Sequence, residues 1–325
     1  MKRIFTIAAI TLTVAFNGFS DDLADLQKNV DTFSAKLAAS LPFNASMGLN
    51  WSDAYIGKLL GVPPHFGIGA SGGFTTLNSV AFGDLLDNFG LSIPIDQMLI
   101  PAYVVEGRLG GLFLPFDIGV KFGALPQVDF GDRLKIDYLL AGADIRFAVM
   151  EGNVVLPKIS VGIGFNFLKS SLTAPLGSGV SFNTDGKSLE LTQPEATFSW
   201  ETKSIDIKAQ ISKSFLIITP YAGLGASYAW SNAGYSVESR LKYGGEYIDN
   251  ADIEEIKDSL SSAGVPGLDK LSPTGFSSII DTTGWAFRAF AGVSLNVLIM
   301  KFDLTGMYNF MDSNYGVTLG IRAQI

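Results

Sequence analysis

The last eleven residues, Tyr315 to Ile325, constrain the fold more than any other stretch. Tyr315, Val317, Leu319, Ile321, Ala323 and Ile325 are apolar, while Gly316, Thr318, Gly320, Arg322 and Gln324 between them are polar or lack a side chain. A strand sends successive side chains to opposite faces, so this stretch has one greasy face and one wet face. Its length is what a tilted strand needs to cross a bilayer, roughly 9–11 residues. The edge of a soluble sheet fits a single such strand equally well. The decision therefore rests on whether the pattern recurs.

It recurs along the whole chain after residue 42. Phe43, Ala45, Met47, Leu49 and Trp51 alternate with polar residues, as do Phe66, Ile68, Ala70 and Phe74 with Gly and Ser. Further strands are predicted over 103–109, 116–122, 133–149, 159–167, 205–211, 218–230, 285–297 and 300–310. The phase of the fifth slips near Leu139 and Leu140, which predicts a bulge. Short helices are predicted around Tyr55 to Leu60, around Phe82 to Phe89 and over Asp252 to Leu260. Thr318, Gly320, Ala323 and Ile325 follow a polar-x-Gly-x-x-apolar-x-apolar pattern, in which the terminal strand resembles the C-terminal signal of bacterial outer-membrane β-barrels. That family usually closes on an aromatic residue where this chain has Ile325. The resemblance implies an outer-membrane location in a double-membraned bacterium, with membrane lipid and the barrel-assembly machinery as partners. It also implies Gly320, Ala323 and Ile325 as the assembly signal. The expected fold is an all-β membrane protein, a closed antiparallel up-and-down barrel of about 10–12 strands with a short N-terminal amphipathic helix. Ten strands fit the parity counted back from the terminus, and residues 43–51 are either outside the wall or paired with an unseen strand between Leu77 and Met98.

Composition agrees with a barrel. The 325 residues are 47% hydrophobic with a mean hydropathy of +0.30, yet no run is long enough for a spanning helix. Alternation dilutes the lipid-facing residues of a barrel in this way. The longest apolar run, Ile4 to Phe16, follows Lys2 and Arg3 and precedes small Gly18 and Ser20, so residues 1–20 read as a cleaved secretory signal. Residues 21–41 carry Leu23, Leu26, Val30, Phe33, Leu37 and Leu41 at helical spacing, a stripe for a helix that plugs the lumen or packs in the periplasm. Residues 42–325 are then the barrel. The absence of cysteine excludes disulfides, thiolate metal sites and an acylated lipoprotein. A net charge of −8 argues against nucleic acid as a partner.

The connections alternate between tight and long, with the longest at 169–202 and 232–284. Outer-membrane barrels keep short turns in the periplasm and long loops outside. With Ile325 periplasmic, both long segments fall outside. Trp230, Trp285, Phe310 and Tyr315 then mark matching heights beside the outer connections, as an interfacial aromatic girdle requires.

The opposite face carries Glu106, Arg108, Asp117, Lys121, Asp144, Arg146, Lys158, Asp206, Lys208, Arg288, Lys301, Asp303 and Arg322. Lipid exposure would cost a basic residue about 2–4 kcal/mol at the midplane, so these charges belong to the lumen. They either neutralise one another and brace a closed interior, or line a polar path with a cationic surplus. Lys158, Arg288 and Arg322 have no obvious partner. Inward glycines such as Gly119, Gly225 and Gly292 leave room for curvature or for a luminal helix.

No catalytic constellation is present. His65 is the single histidine, and the acidic run Asp249, Asp252, Glu254, Glu255 and Asp258 lacks the spacing of a calcium loop and reads as a solvated helix face. No enzyme, metal or cofactor is expected. Two functions remain open: a passive channel or diffusion transporter for a small solute, an amphipathic one included, or a non-conducting surface barrel with a structural or adhesive role through its extracellular loops.

Overall fold

The computed structural model describes residues 20–78, 97–129, 135–175, 180–184, 187–191, 195–238, 241–243, 246–247, 271–272 and 275–325. Helix α1 (Ser20–Ala45) comes first. It is followed by β1 (Phe66–Asn78), β2 (Gln97–Gly110), β3 (Phe116–Asp129), β4 (Lys135–Met150) and β5 (Lys158–Pro175). Short strands β6 (Val180–Thr184) and β7 (Lys187–Leu191) precede β8 (Glu195–Ser212) and β9 (Ile218–Glu238). Then come β10 (Leu241–Tyr243), β11 (Glu246–Tyr247), β12 (Leu271–Ser272), β13 (Gly275–Val297), β14 (Met300–Asn309) and β15 (Asn314–Gln324). No described helix is long and apolar enough to cross a membrane.

Among the described residues, β1, β2, β3, β4, β5, β8, β9, β13, β14 and β15 form the wall in that order, all antiparallel. β15 closes it by pairing with β14 on one side and β1 on the other, from Gly67 opposite Gln324 to Thr75 opposite Gly316. Closure gives every wall strand a partner on both sides, as hydrocarbon demands, with the β2–β3 ladder the shortest, from Val105 opposite Phe122 to Gly110 opposite Asp117. The alternation then sorts itself, with Val105, Val120, Ile145, Ile163, Ile207, Leu224, Leu304 and Ile321 exposed on the outside. Residues 43–51 are not a strand of the wall. They lie inside it, which settles the odd strand count.

Four short connections, 111–115, 151–157, 213–217 and 298–299, share one end of the barrel with Phe66 and Ile325; outer-membrane barrels keep such turns in the periplasm, and this end is called the periplasmic end for that reason. The other end is uneven. β14 and β15 have 10 and 11 residues, while β9 and β13 have 21 and 23. Asn309 pairs with Arg288, so Gly275 to Phe287 rise beyond the rim that β14 makes. The ladders thus run into the segments expected as loops, to Pro175 opposite Glu195 and to Glu238 opposite Gly275. Above them β6, β7, β10 and β11 form a separate small sheet, and the β7–β10 pairing joins the two long excursions. The helices expected at 82–89 and 252–260 lie outside the described residues. Tyr55 to Leu60 form no helix and end in a turn.

The lumen has two tiers. In the outer half the wall turns Ile100, Ala102, Tyr138, Leu140, Leu168, Trp200, Ala233, Tyr235 and Met307 inward, in one core with Leu37, Ala38, Leu41 and Phe43 of α1. The expected bulge at Leu139 and Leu140 is absent, and the β4–β5 ladder runs unbroken there. The apparent phase slip is a change of surroundings: Leu140 faces inward into the apolar core that includes α1, where water would call for a polar residue. Irregular register occurs instead between Leu125 and Val128 and between Ala148 and Met150. In the periplasmic half the inward face is charged.

Because β15 supplies both closing ladders, deletion of Tyr315 to Ile325 exposes two strand edges at once. The truncated chain should fail to reach the heat-resistant, membrane-inserted form in an outer-membrane extraction and gel-shift assay.

Candidate functional site: the closed lumen

After Ala45 the chain leaves the helix, passes Gly48 and Leu49 in left-handed conformations, and descends through the periplasmic half of the lumen to residue 57. Gly48 is required there: its φ is +82°, and a Cβ would lie 2.8 Å from Val104 Cγ2. This segment has no strand partner, so its buried backbone groups need other donors and acceptors. Wall side chains provide them. Lys121 Nζ donates to the carbonyls of Ala45 and Met47 at 2.7 and 2.5 Å. Lys208 Nζ donates to Leu49 O at 2.9 Å, Gln210 Nε2 to Trp51 O at 2.6 Å, Arg146 Nη1 to Asp53 O at 2.9 Å and Lys158 Nζ to Tyr55 O at 2.9 Å. The amides go the other way. Leu49 N donates to Glu106 at 2.6 Å, Ala54 N to Ser212 Oγ at 2.9 Å and Ile56 N to Asp117 at 3.1 Å.

Two side chains fix the register. The Trp51 ring lies between Arg108 and Arg322, whose Cζ atoms are 5.7 and 4.9 Å from its centroid, and its Nε1 donates to Glu106 at 2.9 Å. Asp53, 2% exposed, accepts from Lys301, from Lys158 at 3.4 Å, from Arg322 at 3.2 Å and from Gln324 at 3.1 Å. Three wall cations therefore converge on one carboxylate of the segment.

All thirteen expected charges lie on the inner side of the wall, and their ion pairs run between different strands, either adjacent or one strand apart, instead of between residues two apart on one strand. Arg108 bridges Asp117 at 2.5 Å and Asp144 at 2.8 Å. Arg146 grips Asp117 with two bonds of 2.8 and 2.9 Å. Lys208 meets Asp144 at 2.7 Å, Arg288 meets Asp206 at 2.6 Å, and Arg322 meets Asp303. The two-bond contacts of Arg146 with Asp117 and of Arg288 with Asp206 are fork-to-fork, the strong form of an ion pair. The inward glycines make room for these groups more than for the helix. A Cβ on Gly119 would sit 2.6 Å from Arg108 Nη2, and one on Gly225 would sit 2.7 Å from Arg288 Cζ.

Of the partnerless cations, Arg288 finds a wall acid, Lys158 finds Asp53, and Arg322 finds both Asp303 of the wall and Asp53. Sequence reading passed over Asp53, yet a signal existed. The wall's thirteen charges comprise eight cations and five carboxylates, so the surplus required an anion from elsewhere. Between segment and wall, a cavity lined by Asn50, Trp51, Glu106, Asp303 and Arg322 measures about 20 Å³. That is room for about one water molecule.

Outside, Trp230, Trp285, Phe310 and Tyr315 are each about half exposed, at 43–55%. Tyr228, Phe287 and Tyr308 extend the cluster, with Tyr228 5.1 Å from Trp230 and 5.2 Å from Trp285, and Tyr308 5.3 Å from Phe310. These aromatics gather on the outward face of β9, β13 and β14 and at the start of β15, where an interfacial belt is expected of a membrane barrel. Of the expected assembly signal, Gly320 lies opposite Ser71 and Asp303, Ala323 pairs with Ile68 and Met300, and Ile325 N donates to Phe66 O at 3.0 Å. His65 lies at the periplasmic rim, its ring 3.1 Å from Ile325 O. Among the described residues no group of three His, Cys, Asp or Glu is placed to hold a metal, and the acidic run at 249–258 lies outside them.

The sequence model of one protein family, described as Lsa36-like, matches residues 95–325, the greater part of the chain. None of the curated proteins matches. Among solved structures, the attachment invasion locus protein Ail of Yersinia pestis is 12% identical, with 80% of this chain and 97% of that chain covered and a TM-score of 0.26. The β domain of the Bordetella autotransporter BrkA is 9% identical over 80% and 99% of the two chains, with a TM-score of 0.31. The monoaromatic hydrocarbon channel CymD is 10% identical over 80% and 88%, with a TM-score of 0.26.

Replacing Asp53 with Asn leaves Lys158, Lys301 and Arg322 facing one another without their shared anion. Removing one partner of a buried ionic cluster costs about 3–5 kcal/mol. Asp53→Asn should therefore lower the temperature at which the detergent-solubilised barrel unfolds on a heating gel, and Asp53→Glu should lower it less.

Proposed function

The chain belongs to the Lsa36-like family, and we propose that it acts as a non-conducting barrel of the outer membrane, built to hold its outer hairpins at the cell surface. The observation that carries this reading is the luminal segment, gripped through its backbone from Ala45 to Ile56, with a water-sized cavity of about 20 Å³ between it and the wall. A polar path for a solute needs charges that face water. Here Arg108, Arg146 and Asp117 are at most 1% exposed, and apart from Arg108 Nε their hydrogen bonds go to the wall and the segment. A channel is the weaker reading for that reason.

The outer end supports a structural or adhesive role. β9 and β13 rise well beyond the aromatic belt, and the pairing of β7 with β10 ties two separate excursions into one raised platform. Loops joined by backbone hydrogen bonds present a fixed surface, which suits recognition by contact.

The test is electrical. Purified full-length protein in a planar bilayer should show no stable unitary conductance, and a variant lacking residues 21–56 should show one if it inserts. A steady open conductance from the full-length protein would falsify the closed-barrel reading.

A further inference from the structure

The contacts of the luminal chain fix its direction. Leu59 N donates to Gly111 O in a periplasmic connection at 2.9 Å. Ile56 lies at Asp117, near the periplasmic start of β3, and Ala54 at Ser212, the last residue of β8. Asn44 donates to Thr75 Oγ1 at 2.5 Å, near the outer end of β1. Ser40 accepts a 2.9 Å bond from Asn314, the first residue of β15 at the outer turn. Residue number thus falls steadily from periplasm to exterior, and by Ser40 the chain has reached the low rim.

α1 continues unbroken for twenty residues in front of Ser40, back to Ser20. At 1.5 Å per residue that is about 30 Å. A reversal inside the mouth would require a break in the helix, and its one proline, Pro42, lies on the luminal side of Ser40. The tall wall runs beside this part, with Ala233 and Tyr235 of β9 in the core that holds Leu37 and Ala38. Thr32, Ala35, Lys36 and Ala39 are exposed.

We infer that the barrel carries its own N-terminal arm to the cell surface, with the residues before Ser34 projecting from the outer mouth while Ile325 stays in the periplasm. The lumen is then the conduit along which the arm is held, and whatever the arm carries is displayed outside. This holds whether or not the lumen also conducts ions, so it can fail independently of the closed-barrel reading.

The chain has no cysteine, so single-cysteine variants of the full-length protein report cleanly. Ala35→Cys should react with a membrane-impermeant maleimide on intact cells as fully as on permeabilised ones. Val62→Cys, in the exposed periplasmic connection, should react only after permeabilisation. An epitope inserted between Asp22 and Leu23 should likewise be stained by antibody on intact cells, in a protein whose heat-shifted gel mobility shows the folded barrel. Protection of Ala35→Cys and of the epitope on intact cells would overturn the inference, as would labelling of Val62→Cys there.

Discussion

Everything about this barrel's interior follows from the need to satisfy an extended chain that has no ladder of its own. A buried carbonyl without a donor costs of the order of 1–3 kcal/mol, and the luminal segment buries a carbonyl at nearly every residue. The wall meets this with lysine and arginine heads on long stems. Those cations then need carboxylates between them, and the carboxylates in turn accept the segment's amides. Asp117 serves both partners, accepting Ile56 N and two guanidinium groups, while Glu106 accepts Leu49 N and the Trp51 indole from the segment. The charges are therefore scaffolding for a backbone, and the glycines opposite them exist to let guanidinium groups lie flat.

This division explains what could be read in advance. The outer face was legible because lipid is a uniform solvent, and every outward position answers to the same rule. Val120, Ile145, Ile163 and Leu304 alternate for one reason. The inner face has no uniform solvent, since its surroundings are another piece of the same chain. Leu140 interrupts the polar phase because it belongs to the apolar core around α1, and Phe43 to Trp51 alternate in sequence although they end α1 and run on, largely buried, through the lumen. Asp53 was invisible on its own. Its role appears only when eight cations are set against five carboxylates across strands that lie far apart in sequence.

The uneven rim gives the outer end a direction. On the side of β14 and β15 the wall stops near the aromatic belt, where Tyr308 and Tyr315 face each other across the ladder. On the side of β9 and β13 it climbs as a screen against which α1 leans. The exterior thus has a front and a back, and the small sheet of β6, β7, β10 and β11 joins strands from the tall side.

The closed register carries a consequence for how the molecule is made. Arg322 and Asp53 touch although 269 residues separate them, and Trp51 is clasped by arginines from β2 and β15. An α-helix with its side chains is about 10–12 Å across, and small barrels leave little interior beyond what their own side chains fill. A finished ten-stranded ring offers no passage for such a body. The strands must assemble around the arm like staves around a mandrel, and the last ladder, β1 with β15, seals a core that is already seated.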